Sequence, residues 1–169
     1  AKHFPGHGDT STDSHLDLPT VTSDRARLES VELAPFRAAI AAGASTIMTG
    51  HLAVPALEPD PDIPATMSPR ITTDLLRQQM GFDGLVVTDA LDMGGVTVRY
   101  PPGEVAVRSI LAGADILLVP LVLDAALEAV RDAVAAGRIP MSRLDEAVTR
   151  VLRAKAKLGL NKSRLVDMD

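Results

Sequence analysis

Hydrophobic and polar positions alternate along the chain between short continuous apolar runs and stretches of helical spacing, which predicts strands and helices in alternation with no internal linker. A helical region is predicted from a cap at Thr22 or Ser23 to about Gly43, with Leu28, Val31, Leu33, Phe36 and Ile40 on its apolar face and Pro35 placed to divide it. Ser45 to Thr49 reads as a buried strand ending at Gly50-His51, and a loop carrying Pro55, Pro59, Pro61 and Pro64 follows. Ser68-Pro69 opens the next helix, with Leu75, Leu76 and Met80 facing inward. Gly84 to Thr88 is too apolar for a surface hairpin and delivers Asp89 at its C-terminal end. A helix over Glu104 to Leu111, a strand over Asp115 to Val119 and a helix from about Asp124 to Ala136 come next, the last with Leu127, Val130, Ala133 and Val134 on one face. A final helix runs from Ser142 to about Leu158, with Leu144, Val148, Val151, Leu152 and Leu158 at helical spacing and its start marked by the capping pattern Ser142-x-x-Asp145.

Apolar strands alternating with helices imply an α/β fold, in which a parallel sheet is either covered on both faces or closed into a barrel. Lys2-His3, Gly50-His51 and Asp89 then fall just beyond strand C-termini, the edge where such folds build their sites. Neither G-x-G-x-x-G nor G-x-x-x-x-G-K-[ST] occurs, so nucleotide binding is not expected. With 46% hydrophobic residues the chain has material for one ordinary core. Its net charge of −5, without a long basic run, argues against a nucleic-acid partner. Arg150, Arg153, Lys155 and Lys157 ride on an amphipathic pattern and read as a solvated helix face. Cysteine is absent, which excludes disulfides and thiolate metal sites and leaves the compartment undetermined. No apolar run approaches the roughly 20 residues of a membrane span.

Chemistry concentrates in the first fifteen residues, where His3, His7 and His15 share a loop with Lys2, Asp9 and Asp13. Gly6 and Gly8 flank His7 and Pro5 stiffens the entry, so the polar groups are free to converge. Imidazole has an unperturbed pKa of about 6.5, and a neighbouring carboxylate sets its protonation. Asp13 and His15 are close enough to pair. From spacing alone the plainer reading is that Asp13 caps a turn and His15 is solvated. Asp89 has a similar alternative, as a cap for the helix after its strand, but Asp92 lies nearer that helix and is expected to take the cap.

Lys2-His-Phe-Pro-Gly-His-Gly-Asp-Thr10, followed by Asp13-Ser-His15 and Leu18-Pro19, resembles the signature of family 3 glycoside hydrolases of the β-N-acetylhexosaminidase (NagZ-type) branch. Glu32-Leu-x-Pro-Phe36, Met48-x-x-His51, Gly81-Phe-Asp-Gly-Leu85, Thr88-Asp-Ala-Leu-Asp-Met93, Gly103-Glu104 and Ala112-Gly-Ala-Asp115 extend the resemblance over essentially the whole chain. It implies a (β/α)₈ TIM-type barrel of which residues 1–160 form the C-terminal half, from the end of the fifth strand onward, with 161–169 starting a linker or tail. The chain is accordingly expected to be a fragment whose partner is the missing N-terminal half of the barrel. The resemblance also implies a retaining exo-β-N-acetylglucosaminidase that acts without cofactor or metal on a small carbohydrate substrate, a terminal N-acetylglucosaminide. Asp89 matches the nucleophile that forms a glycosyl-enzyme ester, and His15, oriented by Asp13, matches the acid/base. Lys2 and His3 match the pair that binds sugar hydroxyls. His7 is expected to organise the loop or touch substrate, and His51 to line the pocket or pack beneath it.

Other readings remain open at this stage. A metal hydrolase would draw ligands from His3, His7, Asp9, Asp13 and His15, though no H-E-x-x-H pair occurs and one short loop would have to supply them all. A phosphorylase would use the same fold with phosphate in place of water, because an imidazole base repels phosphate less than a carboxylate does. A β-glucosidase differs only in the sugar, and Thr88-Asp-Ala departs from the Ser-Asp-Trp usual in that branch. An inactive barrel fragment acting as a scaffold is the non-enzymatic alternative. Aromatic residues are only 2% of the chain, which favours a small pocket built on hydrogen bonds over an extended cleft that stacks sugars on rings.

Overall fold

The computed structural model of the chain describes residues 1–8, 10 and 12–163. Three strands, β1 (Thr46–Thr49), β2 (Leu85–Ala90) and β3 (Ile116–Leu118), form a parallel sheet in that order. β1 pairs with β2 from Thr46 opposite Leu85 to Thr49 opposite Thr88. β2 pairs with β3 at Val87 opposite Ile116 and Ala90 opposite Leu118, with an irregular step between. Residues 1–4 lie along the free side of β1: the Met48 N–H donates to Ala1 O, the Phe4 N–H to Met48 O and the Gly50 N–H to Phe4 O. Parallel neighbours require long connections, and helices fill them here. The α/β class with a parallel sheet is therefore as expected from the sequence.

The first helical region divides in two as the sequence predicts, but the break falls at Leu33, and Pro35 sits in the first turn of the second helix, where its missing N–H costs nothing. The region's cap is Asp24, whose side chain accepts from the Arg27 N–H at 2.8 Å, rather than Thr22 or Ser23. Helix α1 (Arg25–Arg27) runs straight into a wider π-helical segment, Leu28–Glu32, before α2 (Ala34–Ala41), and Gly43 closes the region at φ 81°. A 3₁₀ turn, Ala65–Met67, and a π-helix, Arg70–Gln79, fill the next crossover. The Ser68 hydroxyl oxygen accepts from the Ile71 N–H at 3.3 Å, so serine does cap this segment. After β2 come α3 (Gly94–Thr97) and α4 (Pro102–Ala112), and after β3 come α5 (Leu123–Ala135) and α6 (Met141–Lys157). Two expected caps are absent: Met93 occupies the N-cap of α3 and Pro140 that of α6, so neither Asp92 nor Ser142 caps through its side chain.

The main core lies between the sheet and the preceding helices, where Phe4, Ile47, Leu52, Ile71, Leu76 and Val86 are fully buried. The Phe4 and Phe36 rings meet edge to face at 5.1 Å. A second cluster packs α4 against α5 through Val107, Ile110 and Ala133. The apolar stripes predicted for α5 and α6 are only partly covered: Leu127, Val148, Leu152 and Leu158 are 48 to 75% exposed. No helix among the described residues is long and apolar enough to cross a membrane.

At the N-terminal edge of the sheet the Asp115 side chain, fully buried, meets Arg77 at 2.6 Å, Arg143 at 3.1 Å and Arg150 at 3.3 Å, and accepts the Val86 N–H at 3.0 Å. Arg77 also donates to the carbonyls of Phe82, Gly84 and Gly113, and Arg143 to those of Ile110 and Ala114. Arg150 thus leaves the solvated face predicted for it, because a buried carboxylate from a remote strand draws it in. Removing the acid from such a cluster strands buried positive charge. Asp115→Ala is expected to destabilise the protein by about 3–5 kcal/mol, against less than about 0.5 kcal/mol for Lys155→Ala on the exposed face of α6, as read by urea denaturation.

Glu104 on α4 accepts two bonds from Arg138, at 2.6 and 2.8 Å, and one from Arg108 at 2.6 Å. The Arg138 hydrogen bonds, with Arg108 adding to them against some burial, hold the Glu104 carboxyl at about 2 instead of 4.5. Because the folded value is the lower one, this contribution is complete above pH 4.5 and is lost as pH falls toward 2. Glu104→Gln is expected to be less stable than the parent by a constant margin above pH 4.5, and the two are expected to converge on acidification.

Candidate active site

His3, His51 and Asp89 all reach the C-terminal edge of the sheet, His3 from the extended segment beside β1, His51 two residues past β1 and Asp89 from β2 itself. Asp89 stands in the floor of a cleft of about 640 Å³ lined with Lys2, His3, His7, Asp13 and His15 among others. Its Oδ1 accepts the Ala90 N–H at 2.9 Å, which leaves Oδ2 facing His3 Nε2 at 3.5 Å. The peptide bonds Lys2–His3 and Phe4–Pro5 are both cis. Burial lowers the His3 pKa, and the attraction of Asp89 only partly offsets it. His3 is therefore neutral near pH 7 and does not neutralise the carboxylate beside it.

The Asp13–His15 pair forms at the rim. Asp13 Oδ1 accepts both the His15 backbone N–H at 2.9 Å and His15 Nδ1 at 2.8 Å. These two bonds, the backbone one first, lower the Asp13 pKa, so Asp13 is ionised throughout the neutral range. An ionised carboxylate only accepts, so Nδ1 carries the proton that it shares with Asp13. Nε2 is then the ring nitrogen of His15 that Asp13 does not engage. The pair is well exposed, with 59% of the Asp13 and 73% of the His15 side chain open to solvent, whereas the Asp89 side chain is only 16% exposed. The same cleft thus joins a fixed, largely buried carboxylate to an exposed imidazole on a loop.

His7 lines the cleft and also braces the loop, with Nε2 3.3 Å from the buried Ser14 hydroxyl and Nδ1 3.3 Å from Thr10. Lys2 lines the cleft from an exposed position. His51 is placed differently from a substrate contact: it is 1% exposed and both ring nitrogens serve the protein. Its Nε2 lies 2.9 Å from the Ala90 carbonyl and its Nδ1 2.9 Å from the Thr66 hydroxyl. Burial lowers its pKa, so the neutral ring donates from Nε2 to the Ala90 carbonyl, with Nδ1 set against the Thr66 hydroxyl. His51 therefore packs beneath the site and holds the peptide that follows Asp89. Sequence reasoning missed Thr66, and also Thr88, whose hydroxyl oxygen accepts the Leu118 N–H at 3.0 Å and pins β3 beside Asp89. It also missed Gly94 and Gly95, though two adjacent glycines just past a strand-end motif are a signal of close backbone approach.

Among the described residues no group of three or more His, Asp or Glu side chains is placed to hold a metal ion, and Asp9, one of the ligands such a site would draw on, lies outside the described residues.

Comparisons with known proteins agree with one another. The solved family 3 β-N-acetylglucosaminidase of Paenibacillus sp. str. FPU-7 is 46% identical and superposes with a TM-score of 0.93, covering 99% of this chain and 32% of that one. A Beta-N-acetylglucosaminidase/beta-glucosidase of Cellulomonas fimi is 41% identical over 170 residues, which is 96% of this chain and 30% of the relative. A solved beta-glucoside phosphorylase, BglX, is 32% identical with a TM-score of 0.91, over 97% of this chain and 31% of that one. The chain spans about a third of the length of these relatives. Since residues 1–154 also match the family described as "Glycosyl hydrolase family 3 N terminal domain", the chain belongs to glycosyl hydrolase family 3.

Proposed function

We propose that these residues carry the catalytic pair of a retaining exo-β-N-acetylglucosaminidase, and that the observation bearing most weight is the convergence of Asp89 and the Asp13–His15 pair on one cleft. Asp89 Oδ2 attacks the anomeric carbon while imidazolium His15 gives its Nε2 proton to the departing glycosidic oxygen. The neutral imidazole then takes a proton from water, and the hydroxide attacks the anomeric carbon to release Asp89. Asp13 steadies the imidazolium and fixes its tautomer. Lys2 and His3 bind sugar hydroxyls, and His7 holds the loop. The preference for an N-acetylated sugar follows the names of the relatives from Paenibacillus and Cellulomonas fimi.

On this reading residues 1–160 are the second half of a (β/α)₈ barrel and 161–169 begin a connection, the last six of them outside the described residues. The uncovered apolar residues of α5 and α6 support it, as does β3, which has a partner on one side only among the described residues. A second reading, phosphorolysis, is favoured by the likeness to the beta-glucoside phosphorylase and by an imidazole base that does not repel phosphate.

In the full-length polypeptide, turnover of an aryl N-acetylglucosaminide is expected to exceed that of the aryl glucoside. Asp89→Ala is expected to lower kcat on the order of 10⁴-fold and His15→Ala by about 10² to 10⁴-fold. A fluorinated sugar is expected to label Asp89, and an adduct on another side chain overturns the assignment. Hydrolysis that proceeds without phosphate removes the phosphorylase, while strict dependence on phosphate replaces the hydrolase. Residues 1–169 alone are expected to self-associate through their open strand edge and apolar helix faces, and a monomer that unfolds cooperatively contradicts the half-barrel reading.

A further inference from the structure

We infer that Gly94 and Gly95, together with Arg99, are positioning residues that set where His15 stands above Asp89; the inference rests on the reading of His15 as acid/base. The His15 ring bonds Asp13, a residue of its own loop, and that bond cannot register the pair against Asp89. Registration comes through the backbone. The Gly94 N–H donates to the His15 carbonyl at 3.0 Å and the Gly95 N–H to the Ser14 carbonyl at 3.1 Å. The loop closes on itself above them, with the Leu16 and Asp17 N–H groups donating to the Asp13 carbonyl at 3.0 and 3.1 Å.

This approach is possible only without side chains. A Cβ on Gly94 would stand 2.4 Å from the Leu16 oxygen and 2.8 Å from the His15 oxygen, and one on Gly95 would stand 2.9 Å from His51 Cβ and 3.1 Å from the Ser14 oxygen. At Gly94 the obstructing atoms are backbone, so the loop has to move to make room. Arg99 ties down the far end of the loop through an ion pair with Asp17, and also approaches Asp62 in the proline-rich loop at 3.6 Å. Nucleophile and seat therefore belong to one short segment, Asp89 to Arg99, and the segment that fixes the carboxylate also fixes the height and angle of the loop that carries the imidazole. A displacement of about 1 Å at such a pair costs on the order of 100-fold in rate.

The test uses the full-length polypeptide and aryl N-acetylglucosaminides of graded leaving-group acidity. A dinitrophenol leaves without a proton, whereas a weakly acidic phenol needs one from His15. His15→Ala is expected to lose about 100-fold in kcat/KM on the poor leaving group and little on the good one. Gly94→Ala is expected to show the same selective loss, at least about 10-fold on the poor leaving group, and to add nothing when combined with His15→Ala. An equal loss on both substrates, or none, overturns the role of the seat while leaving His15 as acid/base. If His15→Ala itself shows no selectivity, the acid/base reading falls and this inference with it. Should Gly94→Ala fail to fold, Arg99→Gln adds no atom at the seat and frees Asp17. A selective loss of a few-fold is expected there, and an unchanged dependence on the leaving group overturns the proposal.

Discussion

A carboxylate with no solvent exposure cannot stay charged inside a protein unless its surroundings replace water, and the Asp115 cluster does so with three guanidinium groups and a backbone N–H. Stripping these ions of water costs several kcal/mol apiece, so the cluster adds less net stability than its contacts suggest. Its effect is on registration. Arg77 comes from the π-helix before β2, Arg143 and Arg150 from α6, and Val86 from β2, so one acid at the start of β3 fixes how four elements stand at one edge of the sheet. A one-residue slip of a strand would turn its side chains to the opposite face and leave these charges buried without partners.

Register set at one edge carries to the other because the strands are short. β1, β2 and β3 have four, six and three residues, so little length is available for error to accumulate between the arginine cluster and the cleft. At the C-terminal edge His51 holds the Ala90 carbonyl and Thr88 holds the Leu118 N–H, one on each side of Asp89. The proposed nucleophile is thereby mounted on a strand end held by hydrogen bonds at the residues before and after it. The proposed acid/base sits instead on an exposed loop whose backbone is seated on two glycines. A bond-forming atom needs a fixed trajectory to the anomeric carbon, while a proton donor has to serve first the leaving oxygen and then water, so a rigid carboxylate and a loop-borne imidazole suit their separate tasks.

The strands and long helices were legible because continuous apolar runs and helical spacing are local properties of the sequence. The ends were less so. Thr22, Ser23 and Asp24 all have capping side chains, and backbone geometry chose Asp24. The apolar spacing of 70–79 fits a helix without distinguishing an α from a π ladder. Arg150 was misread for a different reason: its partner lies 35 residues away, and nothing in its neighbourhood announces a buried aspartate. His51 likewise lay in a motif beside a strand end, and only the tertiary structure reveals that both of its nitrogens are occupied. The convergence of His3, His15 and Asp89 was foreseeable from strand-end logic and the family motif together, whereas their spacing alone left His15 as a solvated residue.

The four histidines show how far surroundings, rather than residue type, assign chemistry at this edge. His51 is buried with a carbonyl on one nitrogen and a hydroxyl on the other, and burial lowers its pKa, so it serves as a neutral brace. His3 is partly buried, which keeps it neutral although the Asp89 carboxylate faces it at 3.5 Å, so it sets no positive charge beside the proposed nucleophile. His7 spends both nitrogens on hydroxyls of its own loop. Only His15 combines an ionised partner on one nitrogen with an exposed second nitrogen opening on the cleft. A ring held that way can gain and lose a proton at Nε2 while Asp13 compensates the charge at Nδ1, which is the property the proposed two-step reaction requires and which the other three rings lack.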